Sequence, residues 1–407
     1  MPSSIRKSLN ELPITLDDTY ERMLQGIPKE KFEHASRLFQ CMVAAARPLR
    51  VEELAELFAI EFGADNAPNL VAGWRPENPE EAVLSTCSTF ITILNDSDDD
   101  HHDNHSDDSY GDDNDEGSKI VQFSHFSVKE FLTSDRLRMS NVGNIRQYYI
   151  PLEPAHAILA RACMTVLLQL DEKMDEEHFR ALPMASYATK NWVRHAQFED
   201  VALQIQDFLA YLFDPQKPHF RPQILLRGVR FFNPTLYTRF SEKPVEVTPI
   251  FFVTICGFSR LARHHIMMHS PDVNAKSGPF GLSPLHGASI YGHSDSARLL
   301  IDHGANVNAQ DNNHWTPLHY ASVWGHLRVS QLLLEHKAIS TARDIFNSTP
   351  LHEASRCGHL KIVRLLLDHG ADVVGQGLGG LTPYQIATRE GHDDIAKLLL
   401  EHGAERE

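Results

Sequence analysis

Apolar residues recur at helical spacing along most of the chain, and this pattern predicts a mainly α-helical protein. Residues 32–43, 155–170 and 201–212 each carry apolar side chains at i, i+3 and i+4 positions. A lead-in helix is predicted from Leu9 to Leu24, with an interruption at Pro13. The helices after residue 150 have polar faces that are not rich in Lys or Arg, so the pattern favours an internal bundle over helices on a membrane surface.

Two short segments in the N-terminal half have the composition of β-strands. They are TFITIL at 89–94 and KIVQFSHF at 119–126, and residues 127–137 return to a helical pattern. Helices followed by a β-hairpin resemble a winged-helix domain, which we place at residues 31–140. The acidic stretch between the two strands, residues 96–118, is then an insert at the hairpin tip.

The C-terminal part repeats one pattern every 33 residues. SPLH at 283–286 is followed by TPLH at 316–319, TPLH at 349–352 and TPYQ at 382–385. Each unit continues with a Gly-His pair, three apolar residues and an alanine. A period of 33 with these columns resembles the ankyrin repeat. A fifth, degenerate unit begins at TPIFFVTICGF, residues 248–258.

The columns of the repeat predict a pair of helices. Thr or Ser caps the first helix, and Pro occupies its first turn, where no backbone N–H bond is required. Glycine then ends that helix in the left-handed conformation, and the apolar triple lies on the second helix. No unit can bury its apolar face alone, so we predict an α-solenoid of five repeats over residues 245–407. Residues 141–244 form a helical region before it, and residues 1–30 form the helical lead-in.

Histidine fills three columns of the repeat, and we interpret these side chains as structural. No two of them have the spacing of zinc ligands. We expect each imidazole to hydrogen-bond loop backbone groups of its own repeat. The columns are His286, His319 and His352; His293, His326, His359 and His392; and His303, His336, His369 and His402.

Charge and composition argue against several classes of function, namely nucleic-acid binding, membrane insertion and secretion. The chain has 407 residues and a formal charge of −16; residues 96–118 carry −11 of it, which leaves −5 for the rest. No broad basic surface indicates nucleic-acid binding, and the acidic hairpin tip would repel DNA phosphates. No apolar run is long enough for a membrane span, no signal-peptide pattern is found, and the five cysteines form no CxxC pair. These features predict a cytoplasmic protein, with the nucleus left open.

The acidic insert holds the most conspicuous candidate chemistry. Its carboxylates and imidazoles could bind a divalent cation, but an EF-hand fails because its twelfth position is Phe123 instead of Glu. We interpret the insert as a self-repelling loop. Acidophilic kinases prefer serines that lie among acids, so phosphorylation is a hypothesis for Ser97, Ser106 and Ser109.

Several strings resemble the segment that follows the NACHT nucleotide-binding domain in fungal NACHT–ankyrin proteins, members of the STAND class of signalling NTPases. They are ELPITLDDTYERML, ARPLRVEELAELFAI and FSHFSVKEFLTSD, and ASYATKNWVRHAQFE resembles the helical region before the repeats of that family. The resemblance implies a sensing role for the repeats. The chain contains no GxxxxGK[ST] loop, so the sequence predicts no binding site for nucleotide phosphates.

The same resemblance implies a role for one histidine. In related STAND proteins, a winged-helix histidine senses the phosphates of the bound nucleotide. His125 lies at the corresponding place, in FSH before a helix, so it is a candidate remnant of that sensor. The alternative is that His125 packs or caps the helix locally.

No pattern of a hydrolytic enzyme is present. The chain has no GxSxG, and HExxH fails at His352 because Arg356 stands where the second zinc ligand is required. We therefore predict a non-catalytic scaffold or sensor that binds a protein partner through the solenoid, in a signalling context, without cofactor, small-molecule substrate or membrane insertion. The alternative is the regulatory half of a STAND NTPase, whose nucleotide-binding NACHT subunit is supplied in trans.

The partner surface is predicted on exposed positions of the middle repeats. Trp315 and Trp324 are the main candidates, because aromatic residues dominate interface energies. Either tryptophan could instead pack on the neighbouring loop. The other candidate positions are His314, Tyr320, Phe346, Glu353 and Arg356.

Overall fold

The protein, seen in a computed structural model, consists of two compact units, residues 1–220 and residues 221–407. The structure describes residues 15–62, 69–95, 118–142, 144–169, 182–198, 201, 204, 205, 208, 247–269 and 272–405. The candidate phosphorylation sites Ser97, Ser106 and Ser109 lie outside the described residues, as does the predicted helix before Thr15.

The described part of the first unit is mainly helical. Short 3₁₀ turns, Lys29–Lys31 and Ile145–Tyr148, precede two of the helices. The helices are α1 (Leu16–Gln25), α2 (Phe32–Ala44), α3 (Val51–Glu56), α4 (Pro79–Cys87), α5 (Phe126–Leu132), α6 (Asp135–Arg138), α7 (Leu152–Leu167) and α8 (Ala185–Ala196).

A small antiparallel sheet accompanies these helices. Its strands are β1 (Leu49–Arg50), β4 (Ile91–Asn95) and β5 (Lys119–Phe123), in the order β1–β5–β4. A separate ladder pairs β2 (Ile60–Glu61) with β3 (Asn69–Leu70). The predicted hairpin is therefore present as β4 and β5, and β1 is an addition that the sequence pattern did not predict. The winged-helix assignment of residues 31–140 stays a prediction.

The predicted helix at 127–137 is in fact two helices. The chain leaves α5 after Leu132, and Ser134 begins α6 by accepting the backbone N–H of Leu137 at 3.2 Å. A serine hydroxyl that satisfies a free helix N–H favours a new helix start over continuation. The strand predicted at 119–126 ends at Phe123 for a related reason, because His125 caps α5.

A chain of buried and half-buried polar groups links α7 and α8 to the segment that follows α2. The Tyr187 hydroxyl accepts the backbone N–H of Ala46 at 3.0 Å and lies 2.8 Å from Nε2 of His195. Nδ1 of His195 lies 2.9 Å from Nδ1 of His156. Burial lowers the pKa of His195 to about 3, so this imidazole is neutral at neutral pH. One of the two facing Nδ1 atoms then carries a proton, and the other accepts it in a hydrogen bond.

The described residues of the second unit form five helix pairs. Neighbouring first helices pack against each other, and so do neighbouring second helices. The pairs are α9 (Pro249–Ile255) with α10 (Ser259–His269), α11 (Pro284–Tyr291) with α12 (Ser294–Asp302), α13 (Pro317–Val323) with α14 (Leu327–Glu335), α15 (Pro350–Arg356) with α16 (Leu360–Asp368), and α17 (Pro383–Arg389) with α18 (Asp393–Glu401).

The helix signals of the repeat sequence are confirmed. Proline opens every first helix, after a Thr or Ser cap. Glycine follows each first helix with a left-handed backbone, as at Gly325, where φ is 75°. The leucines and alanines predicted to face inward have no exposed surface: Leu285, Leu318, Leu351, Ala288, Ala321, Ala354 and Ala387.

Candidate functional site

Four tight loops, which we term fingers, connect consecutive helix pairs. Finger 1 is residues 278–282, finger 2 is 311–315, finger 3 is 344–348 and finger 4 is 377–381. The residue before the last in each finger has a left-handed backbone, with φ between 60° and 74°. These positions are Gly281, His314, Asn347 and Gly380. The predicted contact His314 is therefore an exposed residue with a turn-forming backbone.

Buried carboxylates hold the two middle fingers. Oδ1 of Asp311 accepts the backbone N–H groups of Asn313 and Trp315, both at 2.8 Å. Oδ1 of Asp344 does the same for the residues two and four positions later, again at 2.8 Å. Fingers 1 and 4 have Gly278 and Gly377 at this position. The middle fingers therefore have an internal support that the outer ones lack.

Trp315 and Tyr320 donate hydrogen bonds to the second oxygens of these carboxylates. Nε1 of Trp315 donates to Oδ2 of Asp344 at 3.0 Å, and the Tyr320 hydroxyl donates to Oδ2 of Asp311 at 2.8 Å. The two rings lie 5.0 Å apart. Trp315 thus packs on the neighbouring loop, the alternative that the sequence left open, and ties finger 2 to finger 3.

Three large apolar side chains are exposed on fingers 3 and 4. Ile345, Phe346 and Leu378 are 50 %, 54 % and 59 % exposed, and we term these three residues the fingertip patch. Phe346 was a predicted contact, whereas Ile345 and Leu378 were missed. An alignment of the repeats could have identified them. Ile345 and Leu378 occupy the repeat position that the polar Asn312 occupies in finger 2, so this position faces solvent.

The other exposed candidates lie at the opposite end of the first helices. Trp324, which is 42 % exposed, follows α13 directly. Arg356 is exposed at the end of α15, and its guanidinium forms an ion pair of 2.8 Å with Glu353, which is 8 % exposed. A helix of seven residues is about 10 Å long, so the structure separates the predicted contacts into two groups.

The first histidine column joins neighbouring repeats, which corrects the expectation that each imidazole serves only its own repeat. Nδ1 of His319 accepts the backbone N–H of Thr316 at 3.1 Å, so the ring proton is on Nε2. Nε2 then donates to the carbonyl of Ser348 at 3.3 Å, in the next finger. His286 makes the corresponding bonds, and His352 makes the same bond to its capping threonine, but its Nε2 donates to the carbonyl of Gly375 at 3.0 Å, just before finger 4. Burial lowers the pKa of His286 and of His319 to about 4.

The second histidine column also reaches another repeat, in the opposite direction. Nε2 of His359 donates to the carbonyl of Val323, at the end of the preceding first helix, at 2.9 Å. His293, His326 and His392 do the same. Only the third column stays within its own repeat, where Nδ1 donates to the carbonyl four residues earlier, as His336 does at 2.9 Å. Geometry therefore gives all three columns structural roles.

His125 lies at the start of α5. Its Nδ1 accepts the backbone N–H of Ser127 at 3.2 Å and lies 2.6 Å from the hydroxyl of the same residue. That hydroxyl also contacts the Tyr20 hydroxyl at 2.8 Å. These contacts make His125 a local helix cap, the alternative stated for it above.

Comparison with known proteins supports the interpretation of the second unit. The family model described as "Ankyrin repeats (3 copies)" matches residues 253–344 and 339–406. The C-terminal part of the chain consists of ankyrin repeats. Ankyrin repeats suggest interaction with other proteins. Among the described residues, no helix combines the length and apolar character that crossing a membrane requires.

A relative shares more than the repeats. The protein described as "Azaphilone pigments biosynthesis cluster protein L" from Monascus ruber is 27 % identical in an alignment of 311 residues that covers 74 % of this chain. The similar region is 61 % of that protein, so the chain spans less than two thirds of its relative. The similarity identifies a fungal protein as a distant homologue.

Proposed function

We propose that this protein is a protein-binding module whose ankyrin repeats hold the partner through the fingertip patch on fingers 3 and 4. The observation that supports it is the exposure of Ile345, Phe346 and Leu378 on a repeat stack whose interior is packed. Large apolar side chains that cluster on a surface gain free energy when a partner removes them from water. Aromatic anchors in such a cluster contribute most.

The fixed backbone of the fingers favours binding further. Finger 3 is held by Asp344 and is tied to finger 2 through the Trp315 indole. A loop that is already in its bound conformation loses little conformational entropy when a partner docks. Asp344 and Trp315 therefore hold finger 3, which carries Ile345 and Phe346, while the exposed side chains of the patch make the contacts.

An ion pair lies beside the patch and bears on the partner chemistry. Arg343, two residues before Ile345, forms an ion pair with Asp372 at 3.4 Å. A surface with balanced charges does not select a strongly charged ligand. We infer that the contacting segment of the partner is mainly apolar.

The double variant Ile345→Asn/Phe346→Asn tests this proposal. Finger 2 already carries Asn312 and Asn313 in these columns, so the fold accommodates the change. We expect the full chain to lose at least about tenfold in affinity for its partners, since two large apolar side chains leave the interface. The measurement is quantitative capture from an extract of the source organism, followed by titration of each captured protein.

The matched control is Val374→Asn, because Val374 is also an exposed apolar residue and Asn308 fills its column two repeats earlier. This control should bind as the unaltered chain does. Trp324→Ala tests the second group of candidates in the same assay. Equal affinities for the double variant and the control would show that the fingertip patch is not the binding surface.

A signalling role of the NACHT–ankyrin type is a finer proposal that rests on the sequence resemblance alone. In its alternative form, the chain regulates a nucleotide-binding subunit in trans, and His125 meets the nucleotide there. The chain by itself should bind neither ATP nor ADP. Nucleotide binding that appears with a NACHT subunit and weakens with His125→Ala would favour the trans form, and unchanged binding in the variant would reject the sensor role.

A further inference from the structure

A pocket in the first unit has no part in the proposed protein-binding function. Its volume is ≈ 330 Å³, and it lies between the end of α1, the start of α2 and the 3₁₀ turn Ile145–Tyr148. Leu24 and Ile145 form a buried apolar floor. The rings of Phe32 and Tyr148 meet edge to face at 5.0 Å and make an aromatic wall. The volume is at the lower end of the range for small-molecule sites.

Tyr148 brings an unpartnered polar atom to this pocket. The residue is only 3 % exposed as a whole, but its hydroxyl oxygen is not among the fully buried unpartnered atoms, and the structure describes no protein hydrogen bond for it. Burial raises the pKa of this hydroxyl, so the proton is retained at neutral pH and can be donated. The hydroxyl oxygen keeps contact with solvent, so a ligand atom in the pocket can replace water as its hydrogen-bond partner.

The rim of the pocket supplies further unpaired polar groups. They are the ammonium of Lys29 and the amides of Gln25, Asn144 and Gln147. Of the contacts that the structure describes, none pairs these four side chains with another protein group. Four exposed polar side chains and one hydroxyl therefore border a cavity with an apolar floor, so both polar and apolar parts of a ligand find contacts there.

We propose that this pocket binds a small monocarboxylic acid with a compact hydrocarbon or aromatic body. The ammonium of Lys29 and the Tyr148 hydroxyl are donors, and each rim amide adds an N–H, so the site matches a group that only accepts hydrogen bonds. Lys29 is the single cation in the lining, which matches one negative charge rather than the two of a phosphate monoester. The apolar floor takes the hydrocarbon body.

Ligand-observed NMR on the full chain tests the proposal with benzoate, cyclohexanecarboxylate and hexanoate as probes and benzamide as the neutral match of benzoate. We expect at least one acid to bind with a Kd no weaker than about 1 mM, which corresponds to about −4 kcal/mol. Benzamide should bind at least about tenfold more weakly than benzoate, because it lacks the charge that pairs with Lys29.

Two variants and one control locate the binding. Lys29→Gln should weaken the acid about tenfold, and Tyr148→Phe should weaken it severalfold while it keeps the ring that packs on Phe32. Lys361→Gln, an exposed lysine of α16, should change nothing. Circular dichroism of each variant establishes that it folds. The proposal is overturned if no acid binds, if benzamide binds as well as benzoate, or if folded Lys29→Gln binds unchanged.

Discussion

At the scale of the residue, the buried carboxylate of Asp344 determines the shape of finger 3. It accepts two backbone N–H groups and the indole N–H of Trp315. Hydrogen bonds to a charged acceptor are stronger than neutral ones, and donors that lose their acceptor when buried carry a desolvation cost. One side chain therefore fixes a loop and links two repeats.

Asp344→Ala should destabilise the repeat unit by about 3 kcal/mol, because three donors lose their acceptor together. The measurement is denaturant unfolding followed by tryptophan fluorescence, with Asp368→Ala as the control. Asp368 is exposed and holds no finger, so its removal should cost at most about 0.5 kcal/mol. A loss in the Asp344 variant no larger than in this control would contradict the role described here.

The ring of His319 has two separable functions, and the last repeat along the chain shows how to separate them. There Gln385 replaces the histidine, and its side-chain oxygen still accepts the backbone N–H of the capping Thr382 at 2.9 Å. Glutamine therefore reproduces the cap. The bond from Nε2 of His319 to the carbonyl of the next finger requires the longer reach of the imidazole.

We expect His319→Gln to keep the helix content and to lower the free energy of unfolding by about 1–2 kcal/mol, for the lost bond between repeats. His319→Ala, which also loses the cap, should cost more. Hydrogen exchange measured by mass spectrometry on both variants separates the two effects, because exchange should rise in finger 3 for the glutamine variant. Finger 3 protection unchanged in both variants would exclude the inter-repeat bond as a stabilising contact.

At the scale of the element, the glycine that ends each first helix is required by the local backbone conformation and, in the middle repeats, by the packing of the next repeat. Gly325 shows both, since its φ is 75° and a Cβ there would lie 2.8 Å from the His359 ring. The left-handed backbone was predicted from the sequence, while the close approach of the ring follows from stacking. Two independent reasons therefore require glycine at this position.

The first helices also contain buried hydroxyls that the fold does not satisfy. Ser289 donates to the carbonyl of Leu285, but its counterparts in the next two repeats, Ser322 and Ser355, have no partner among the described residues. A buried hydroxyl without a hydrogen bond is unfavourable relative to a methyl group of similar size.

Ser322→Ala should therefore raise the free energy of unfolding by about 0.5–1 kcal/mol. Ser289→Ala is the matched comparison, and it should be neutral or slightly destabilising because it removes a bonded hydroxyl. Thermal unfolding of the two variants decides between them. Equal destabilisation by both changes would show that Ser322 has a hydrogen-bond partner after all.

At the scale of the whole molecule, the buried histidines make the stability of the repeat unit depend on pH. His286 and His319 have folded pKa values of about 4, well below the usual 6.5, because burial disfavours the charged form. A base with a lowered folded pKa contributes its full stability above the unfolded pKa. That contribution is lost as pH falls from about 6.5 towards about 4.

Each of these two histidines should cost about 3 kcal/mol of stability over this interval, from about 1.4 kcal/mol per pKa unit. Denaturant unfolding at several pH values between about 7 and 4.5, with hydrogen exchange to follow the repeat unit alone, measures the loss. His319→Gln should reduce the slope, since glutamine does not titrate. A slope that is the same in this variant would assign the acid sensitivity to other groups.

The sequence by itself determined the five helix pairs, their caps, their glycine ends and their inward faces, because each of these depends on residues within one turn of a helix or on the recurrence of the repeat pattern. Contacts between distant positions were decided only by the tertiary structure. The strand β1 is too short to have a pattern of its own and exists through its pairing with β5. The histidine bonds between repeats, the support of Asp344 for Trp315, and the pocket around Tyr148 all need elements to approach within a few ångströms. Spacing along a chain does not encode that distance, and packing does.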